Sequence, residues 1–166
     1  ELEAGEVDFV VNPESYSVPT QSSAVLFEDR YHAVVDRANT QLGDSISLAQ
    51  YQAARHVNFQ ANGKPFFDSW FDRAHGETRR VEVLAHSFTL LPRLVVGTGR
   101  LATMHTRMAM QACEQLPVRM VRLEFETPRF VETLQWHRYR DHDPGSQWLR
   151  EKILGFAQAM PPLPAA

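Results

Sequence analysis

Residues 95–107 have the sequence Val-Val-Gly-Thr-Gly-Arg-Leu-Ala-Thr-Met-His-Thr-Arg, and this stretch decides how the surrounding chain folds. Its glycines, Gly97 and Gly99, match the loose dinucleotide-binding pattern G-x-G-x-x-A. A phosphate cradle needs the glycine turn between a strand and a following helix, whereas this sequence predicts a helix before the turn and a strand after it. We therefore predict a turn that ends a helix, and no dinucleotide site.

The second half of the stretch predicts the reverse order, a strand that leads into a helix. Leu101 to Met104 is the predicted strand, and Thr106 to Gln115 is the predicted helix. The first N–H groups of that helix would point out of the carboxyl edge of the sheet, where ligands of open α/β folds bind. Arg107 adds a planar, permanently charged guanidinium suited to a carboxylate or an acidic phenol. It is either a ligand contact or a surface arginine paired with an acid.

The rest of the chain alternates between predicted strands and helices. The strands are Val7–Val11, Ala24–Phe27 and Tyr31–Asp36 as an extended pair, His56–Phe59, Arg80–Leu84, Val118–Phe125 and Val131–His137. Four helices are predicted in addition to 106–115. They are Ser47–Ala54, a helix from Pro65 to about Gly76, a helix from Ser87 to Val96, and Pro144–Ala159. Ser87 is the predicted cap of the third, and Pro92 within it predicts a kink or a late start. This order predicts an α/β fold with mainly parallel sheets and helices on both faces. We expect Trp136 and Trp148 to pack in the interior, with Trp148, Leu149, Ile153 and Phe156 on one face of the last helix.

Composition narrows the classes of function. The 166 residues are 43% hydrophobic with a formal net charge of −3, so the chain can form a packed core but offers no basic field for binding nucleic acid by itself. No apolar run reaches the roughly 20 residues that span a bilayer. A single cysteine, Cys113, excludes an internal disulfide and fits a reducing compartment. We expect a globular cytoplasmic protein that does not contact membranes.

The sequence predicts neither a metal site nor a catalytic centre. Among the seven histidines, His137 and His142 are five residues apart across a predicted strand end, and no cysteine lies at a ligand interval from a histidine. No G-x-S-x-G, P-loop or H-E-x-x-H motif occurs, so we expect no enzymatic activity and no cofactor. His86, with Ser87 beside it, and His105 fall at predicted strand ends and are candidate ligand contacts.

Four segments together resemble the effector-binding domain of LysR-type transcriptional regulators, in the branch that controls nodulation and aromatic degradation. They are 95–107, Trp136–Tyr139, Asp143–Arg150 and Gly5–Val10, and the resemblance runs from Leu2 to Phe156. It implies a periplasmic-binding-protein-like (type II) α/β fold of two lobes, with the first lobe incomplete at its N-terminal side. Residues 1–26 would belong to lobe I, 27–116 to lobe II, 117–160 to the return to lobe I, and 161–166 to a disordered tail.

The resemblance also implies which residues contact a small-molecule effector in the cleft between the lobes. They are Phe27 and Asp29, the loop Asn62, Gly63, Lys64 and Pro65, and Arg107. One ring of Phe66 or Phe67, beside that loop, is a further candidate. An acid at Asp29 would repel an anionic effector, so a larger, neutral phenol fits better than a simple aromatic carboxylate. DNA would be bound only through a helix-turn-helix that this chain lacks, and the full-length protein would form a homo-oligomer.

Two other interpretations remain open from the sequence alone. A solute-binding protein of a transport system would have the same architecture, and an export signal in the parent gene would favour it. A small α/β enzyme acting on an aromatic substrate would show turnover, which the missing motifs argue against. The sequence upstream of Glu1 would separate these classes, since a helix-turn-helix there indicates a regulator.

Overall fold

A computed structural model describes residues 2–60, 63–76 and 78–163 of the chain. The chain forms two compact units. Unit 1 comprises Glu1–Asp29 with Arg129–Ala166, and unit 2 comprises Arg30–Pro128. The prediction of a disordered tail concerns 161–166, and 164–166 lie outside the described residues.

Nine strands and five α-helices lie in the described residues. In chain order they are β1 (Phe9–Pro13), β2 (Ser22–Asp29), β3 (Tyr31–Asp36), β4 (Ser45–Ile46), α1 (Leu48–Ala53), β5 (Arg55–Phe59), α2 (Phe66–His75), β6 (Arg80–Ala85), α3 (Leu91–Val95), β7 (Arg100–His105), α4 (Thr106–Gln115), β8 (Val118–Leu123), β9 (Phe130–Trp136) and α5 (Pro144–Gln158). The predicted alternation of strands and helices is confirmed, and α4 agrees with its prediction to the residue. In this described part, no helix has the length and apolar character to cross a membrane.

The two units contain sheets of different kinds. The sheet of unit 2 has the order β4-β8-β3-β7-β5-β6, in which β3 is antiparallel to β7 and β8 while the other neighbours are parallel. The sheet of unit 1 has the order β1-β9-β2 and is antiparallel throughout. The expectation of mainly parallel sheets is therefore wrong for unit 1 and for β3. The two segments predicted as an extended pair are both strands, β2 and β3, but they do not pair with each other. β2 pairs with β9, whereas β3 pairs with β7 and β8 in the other sheet.

Helices cover both faces of the unit 2 sheet. On one face α3 and α4 bury an apolar core that includes Val34, Val57 and Met104 of the strands. Side chains alternate along a strand, so Thr103 points to the opposite face. There its hydroxyl lies 2.6 Å from the Tyr51 hydroxyl of α1. This arrangement confirms the predicted helices on both faces.

Local signals in the sequence explain where several of these helices begin. Ser47 and Gln50 form a capping box at the start of α1. α3 follows a 3-10 turn at Phe88–Leu90 and has Pro92 in its first turn, so the predicted late start is confirmed. The predicted capping role of Ser87 is wrong, because its hydroxyl bonds to Thr89 at 2.8 Å instead of to a helix N–H. Gly97, at φ 69°, makes the predicted turn between α3 and β7.

The C-terminal helix α5 packs on unit 1 through a face that the sequence did not predict. Trp136 is buried as expected, donates from Nε1 to Asp141 at 2.7 Å and lies 4.5 Å beneath the Arg150 guanidinium. Trp148 is 61% exposed, so its predicted interior packing is wrong. The buried residue of α5 is the small Ser146. Of the predicted apolar stripe, Trp148, Leu149 and Phe156 are exposed and Ile153 is half-buried.

Candidate functional site

Most of the predicted site residues of unit 2 meet at the carboxyl edge of its sheet. β5, β6 and β7 are parallel, so the segments that follow them leave the sheet along one edge, and the antiparallel β3 begins at that edge. Those segments are the loop Gly63–Pro65, the pair His86–Ser87 and the helix start His105–Arg107. In open α/β sheets this edge is the usual place for a ligand.

Hydrogen bonds tie the start of α4 to the start of β3. The Thr106 N–H donates to the Arg30 carbonyl at 2.8 Å, and the fully buried Thr106 hydroxyl lies 2.9 Å from Nδ1 of His32. Arg107 is the second residue of α4 and half-buried. Its positive charge therefore adds to the partial positive charge of the helix N-terminus, and both favour an anionic group at this edge.

Aromatic rings from five segments form a cluster at the same edge, called here the edge aromatic cluster. The His105 ring lies 5.0 Å from that of Tyr31 and 5.8 Å from that of Phe88. Phe67 lies 4.8 Å from Tyr31, and Phe59 stacks on Phe88 at 4.0 Å. These spacings are typical of aromatic rings that pack on one another. Tyr31 and Phe67 are 6% exposed, whereas Phe59, Phe88 and His105 are half-buried at the edge. Phe67 was one of two candidate rings in the sequence, whereas Tyr31, Phe59 and Phe88 were missed.

The loop Gly63–Pro65 lies between the end of β5 and the start of α2. Gly63 has φ 105°, a conformation that favours glycine, and Pro65 precedes the first helical residue. Lys64 forms an ion pair with Asp72, in the second turn of α2. A cavity of about 540 Å³ opens beside the loop and extends to Val81 and Leu84 on β6.

A buried polar network holds α2 against the sheet, and sequence reasoning missed it. The Arg79 side chain is 4% exposed, and its guanidinium lies 2.6 Å from Asp68 and 3.4 Å from Asp72. The Asn58 amide, on β5, donates to Asp68 at 3.3 Å. Since Asp72 also pairs with Lys64, the network connects the predicted ligand loop to the interior. The one available signal was the spacing of Asp68 and Asp72, which puts both carboxylates on one helix face.

Burial shifts the protonation of three groups around this network. It raises the pKa of Asp68, although the Arg79 guanidinium opposes that shift, and it raises the pKa of Tyr51 to about 12. It lowers the pKa of His56 to about 4, which keeps the ring neutral near pH 7. Nε2 of His56 lies 2.7 Å from the Tyr51 carbonyl, so the neutral ring donates its proton there. In each case burial disfavours the charged form of the group.

Three predicted contacts are not among the described residues of unit 2. Phe27 and Asp29 are on β2 of unit 1, opposite Glu132 and Phe130 of β9 respectively, and Asp29 is 4% exposed. Asn62 lies outside the described residues. Within residues 2–60, 63–76 and 78–163, no three His, Cys, Asp or Glu side chains form a group that could hold a metal ion.

Comparison with known sequences connects the chain to bacterial regulators. Residues 1–158 match the family described as the LysR substrate binding domain. Nodulation protein D 1 of Bradyrhizobium diazoefficiens is 35% identical over 161 residues, and nodulation protein D 2 of Rhizobium tropici is 34% identical over 161 residues. Each alignment covers 96% of this chain and 51% of the relative, so the chain spans about half the length of these relatives.

Solved structures show the same fold. A probable transcriptional regulator from Pseudomonas aeruginosa has a TM-score of 0.82 at 23% identity, over 93% of this chain and 51% of its own. The effector binding domain of QuiR, solved in complex with shikimate, has a TM-score of 0.74 at 15% identity, over 95% of this chain and 75% of its own. At these identities the similarity establishes the type II periplasmic-binding-protein-like architecture and nothing about the ligand.

Proposed function

Because the chain belongs to the LysR substrate-binding domain family, we propose that it is the effector-sensing part of a LysR-type transcriptional regulator. It binds a small aromatic or phenolic molecule and catalyses no reaction. The ligand acts by binding one arrangement of the protein better than another, and this difference biases how DNA-binding domains elsewhere in the regulator sit on DNA. The complete regulator is a cytoplasmic homo-oligomer in this proposal. Units 1 and 2 would correspond to lobes I and II.

The observation that carries the proposal is the combination of the edge aromatic cluster with Arg107. Phe59, Phe88 and His105 are half-buried rings that keep some surface for a ligand, with Phe88 and His105 5.8 Å apart. Tyr31 and Phe67 are each 6% exposed and support these rings from within the cluster. Arg107 adds a charge-assisted donor for an acidic phenol or a carboxylate. The other proposed contacts are Phe27, Asp29, the loop 62–65, His86, Ser87 and His105.

The named relatives support a regulator over the other two interpretations. Neither nodulation protein D nor QuiR is named as a transport protein or an enzyme. The shikimate in the QuiR structure is a ring-shaped acid, and it supports the idea that this fold can accept such a molecule. The chemical class proposed for this chain rests on its own aromatic side chains.

Ligand titration of the full-length regulator tests the proposal. We expect calorimetry to detect binding of a polyhydroxylated flavone or a hydroxybenzoate. Arg107→Ala should weaken the binding by about 1.5–3 kcal/mol, roughly tenfold to hundredfold, because a charge-assisted hydrogen bond is lost. Arg73→Ala is the matched control, since Arg73 is an exposed arginine of α2 whose Nε donates to the Ser69 carbonyl at 3.1 Å. Equal binding by both variants would place Arg107 outside the site.

A further inference from the structure

Three arginines lie side by side at the edge of the unit 2 sheet opposite the proposed effector site. β5, β6 and β7 begin with Arg55, Arg80 and Arg100 respectively. The strand register aligns Arg55 with Arg80 on one side and with Arg100 on the other. Adjacent strands are about 4.8 Å apart, so the three side chains leave the sheet within about 10 Å. Like charges on neighbouring strands destabilise a sheet unless something compensates them.

The ion pairs of these arginines converge on one carboxylate, that of Glu82. It lies 3.9 Å from Arg55, 3.1 Å from Arg80 and 3.0 Å from Arg100. The Glu82 side chain is 19% exposed, whereas that of Arg80 is 72% exposed. These four side chains carry three positive charges and one negative charge. Glu82 therefore compensates only one of the three guanidinium charges. The remaining positive charge and N–H donors are available to an external anion.

Space for an anion exists beside the central arginine. A cavity of about 440 Å³ is bordered by Arg55, the turn Gly97–Gly99 and the polar side chain of Gln41. A Cβ atom on Gly99 would lie 2.6 Å from the Arg55 guanidinium, so the glycine allows this guanidinium to lie against the turn. Asp36 also borders the cavity, and its carboxylate accepts the N–H groups of Gly97 and Ala38. These hydrogen bonds stabilise its charged form, so one negative charge remains beside the cavity.

We propose that Arg55, Arg80 and Arg100 form a binding site for phosphate groups and that Glu82 competes with the ligand for the same guanidinium groups. A guanidinium fork matches two phosphate oxygens, and neighbouring forks in a row match a diphosphate better than they match one carboxylate. The three arginines and Glu82 carry two net positive charges, or one when Asp36 is counted, and this excess favours an anion. The phosphate could belong to a phosphorylated small molecule or to the DNA backbone, because both present the same oxygen atoms. The site lies within unit 2 and does not depend on the proposed effector function.

Titration of the 166-residue chain with inorganic pyrophosphate, at constant ionic strength set with chloride, tests this site. We expect Arg55→Gln and Arg100→Gln each to weaken pyrophosphate binding by about three- to tenfold, as for loss of one partly exposed charge-assisted contact. Glu82→Gln should tighten binding by a similar factor, because the competing carboxylate is removed. A purely structural cluster predicts that Glu82→Gln lowers stability without tightening anion binding, so this variant separates the two roles.

Arg122 and Glu124 supply matched controls, since they form a one-to-one pair at 3.9 Å with both side chains about half exposed. Arg122→Gln and Glu124→Gln should leave pyrophosphate binding unchanged. Absence of binding by the wild-type chain at about 10 mM pyrophosphate, a concentration at which even a site with a Kd of about 1 mM would be mostly occupied, would overturn the proposal. Equal effects of all five substitutions would overturn it as well. A duplex DNA of arbitrary sequence distinguishes the sources of phosphate. If the same arginine variants weaken DNA binding, the ligand is the DNA backbone, and if only pyrophosphate is affected, it is a free phosphate compound.

Discussion

The Arg79 guanidinium lies 2.6 Å from the Asp68 carboxylate in the interior of unit 2, and it joins α2 to the segment that leads into β6. Its planar group also lies over the ring of Phe71, 4.7 Å from the centroid. Asp72 extends the interaction to Lys64 in the loop that follows β5. The loop proposed to contact the effector is thus anchored by charges that are largely removed from water.

Breaking this pair should destabilise unit 2 strongly. Arg79→Met leaves Asp68 and Asp72 without their buried cation, and we expect a loss of about 3 kcal/mol or more in the free energy of unfolding. The double variant Arg79→Met with Asp68→Leu should lose less than Arg79→Met alone, because one orphaned charge is removed as well. Urea unfolding, with hydrogen exchange followed in peptides of β5 and β6, measures both effects.

The exposed pair of Arg122 and Glu124 is the control for that experiment. Arg122→Met should change the free energy of unfolding by less than about 1 kcal/mol, as exposed ion pairs usually do. A similar loss of unfolding free energy in Arg79→Met and Arg122→Met would show that burial does not increase the contribution of Arg79 to stability. A double variant as unstable as the single one would show that Asp68 is not the charge that Arg79 compensates.

His56 should make unit 2 sensitive to acid. Burial lowers the pKa of His56 from 6.5 to about 4, so between these values the unfolded chain binds a proton that the folded chain does not. Its contribution to stability is therefore complete above about pH 6.5 and is lost as the pH falls towards 4, by about 3 kcal/mol. We expect the urea midpoint to fall over this range, and His56→Gln, which keeps a donor for the Tyr51 carbonyl, to flatten that part of the curve.

The pH profile of a second variant separates His56 from other titrating groups. His142→Gln removes a histidine of unit 1 that lies outside the buried network, so the acid-dependent loss in unit 2 should persist. An unchanged profile in His56→Gln would mean that carboxylates cause the whole acid transition. Hydrogen exchange in β5 peptides is included because it reports on unit 2 by itself.

The capping box of α1 gives a smaller, local prediction. The Ser47 hydroxyl accepts the Gln50 N–H at 3.3 Å, and the Gln50 side chain accepts the Ser47 N–H at 2.9 Å. Ser47→Ala should reduce the free energy of unfolding by about 1 kcal/mol, whereas Ser47→Asp should retain most of it. Thermal unfolding followed by circular dichroism is sufficient, and equal losses in the two variants would argue against a capping role.

Elements that depend on local chemistry were predictable from the sequence. The capping signal at Ser47, the proline in the first turn of α3 and the glycine turn at Gly97 each act within a few residues, so the sequence contains all that determines them. Strand direction was not predictable in the same way. The alternation of apolar and polar residues along a strand indicates which side chains are buried. It does not indicate which strands pair with each other or in which direction.

The candidate site was only partly predictable for a related reason. Helix and strand ends placed His105 and Arg107 at the carboxyl edge, but Phe59 and Phe88 come together only through the tertiary fold. Arg79 and Asp68 are charged, and charged residues are normally assigned to the surface. Trp148 was predicted to be buried and is exposed. An apolar stripe on a helix does not indicate whether another element packs against it.

The shape of the Arg107 side chain, and not only its charge, should matter for binding. A planar fork can donate two parallel hydrogen bonds to a carboxylate, whereas a lysine ammonium acts as a single point charge. We therefore expect Arg107→Lys to weaken binding of a hydroxybenzoate by the full-length regulator about three- to tenfold, a loss of roughly 0.7–1.4 kcal/mol. Binding of a neutral flavone, which contacts the edge aromatic cluster but has no acidic group, should be weakened much less.

The substitution should change the free energy of unfolding by less than about 1 kcal/mol, because a cation in the first turn of α4 works against the helix dipole and adds little stability. Calorimetric titrations with both ligands, beside urea unfolding of each variant, make the comparison. Full affinity for the hydroxybenzoate in Arg107→Lys would mean that only the charge is used, and equal losses for both ligands would point to a disturbed fold at the start of α4.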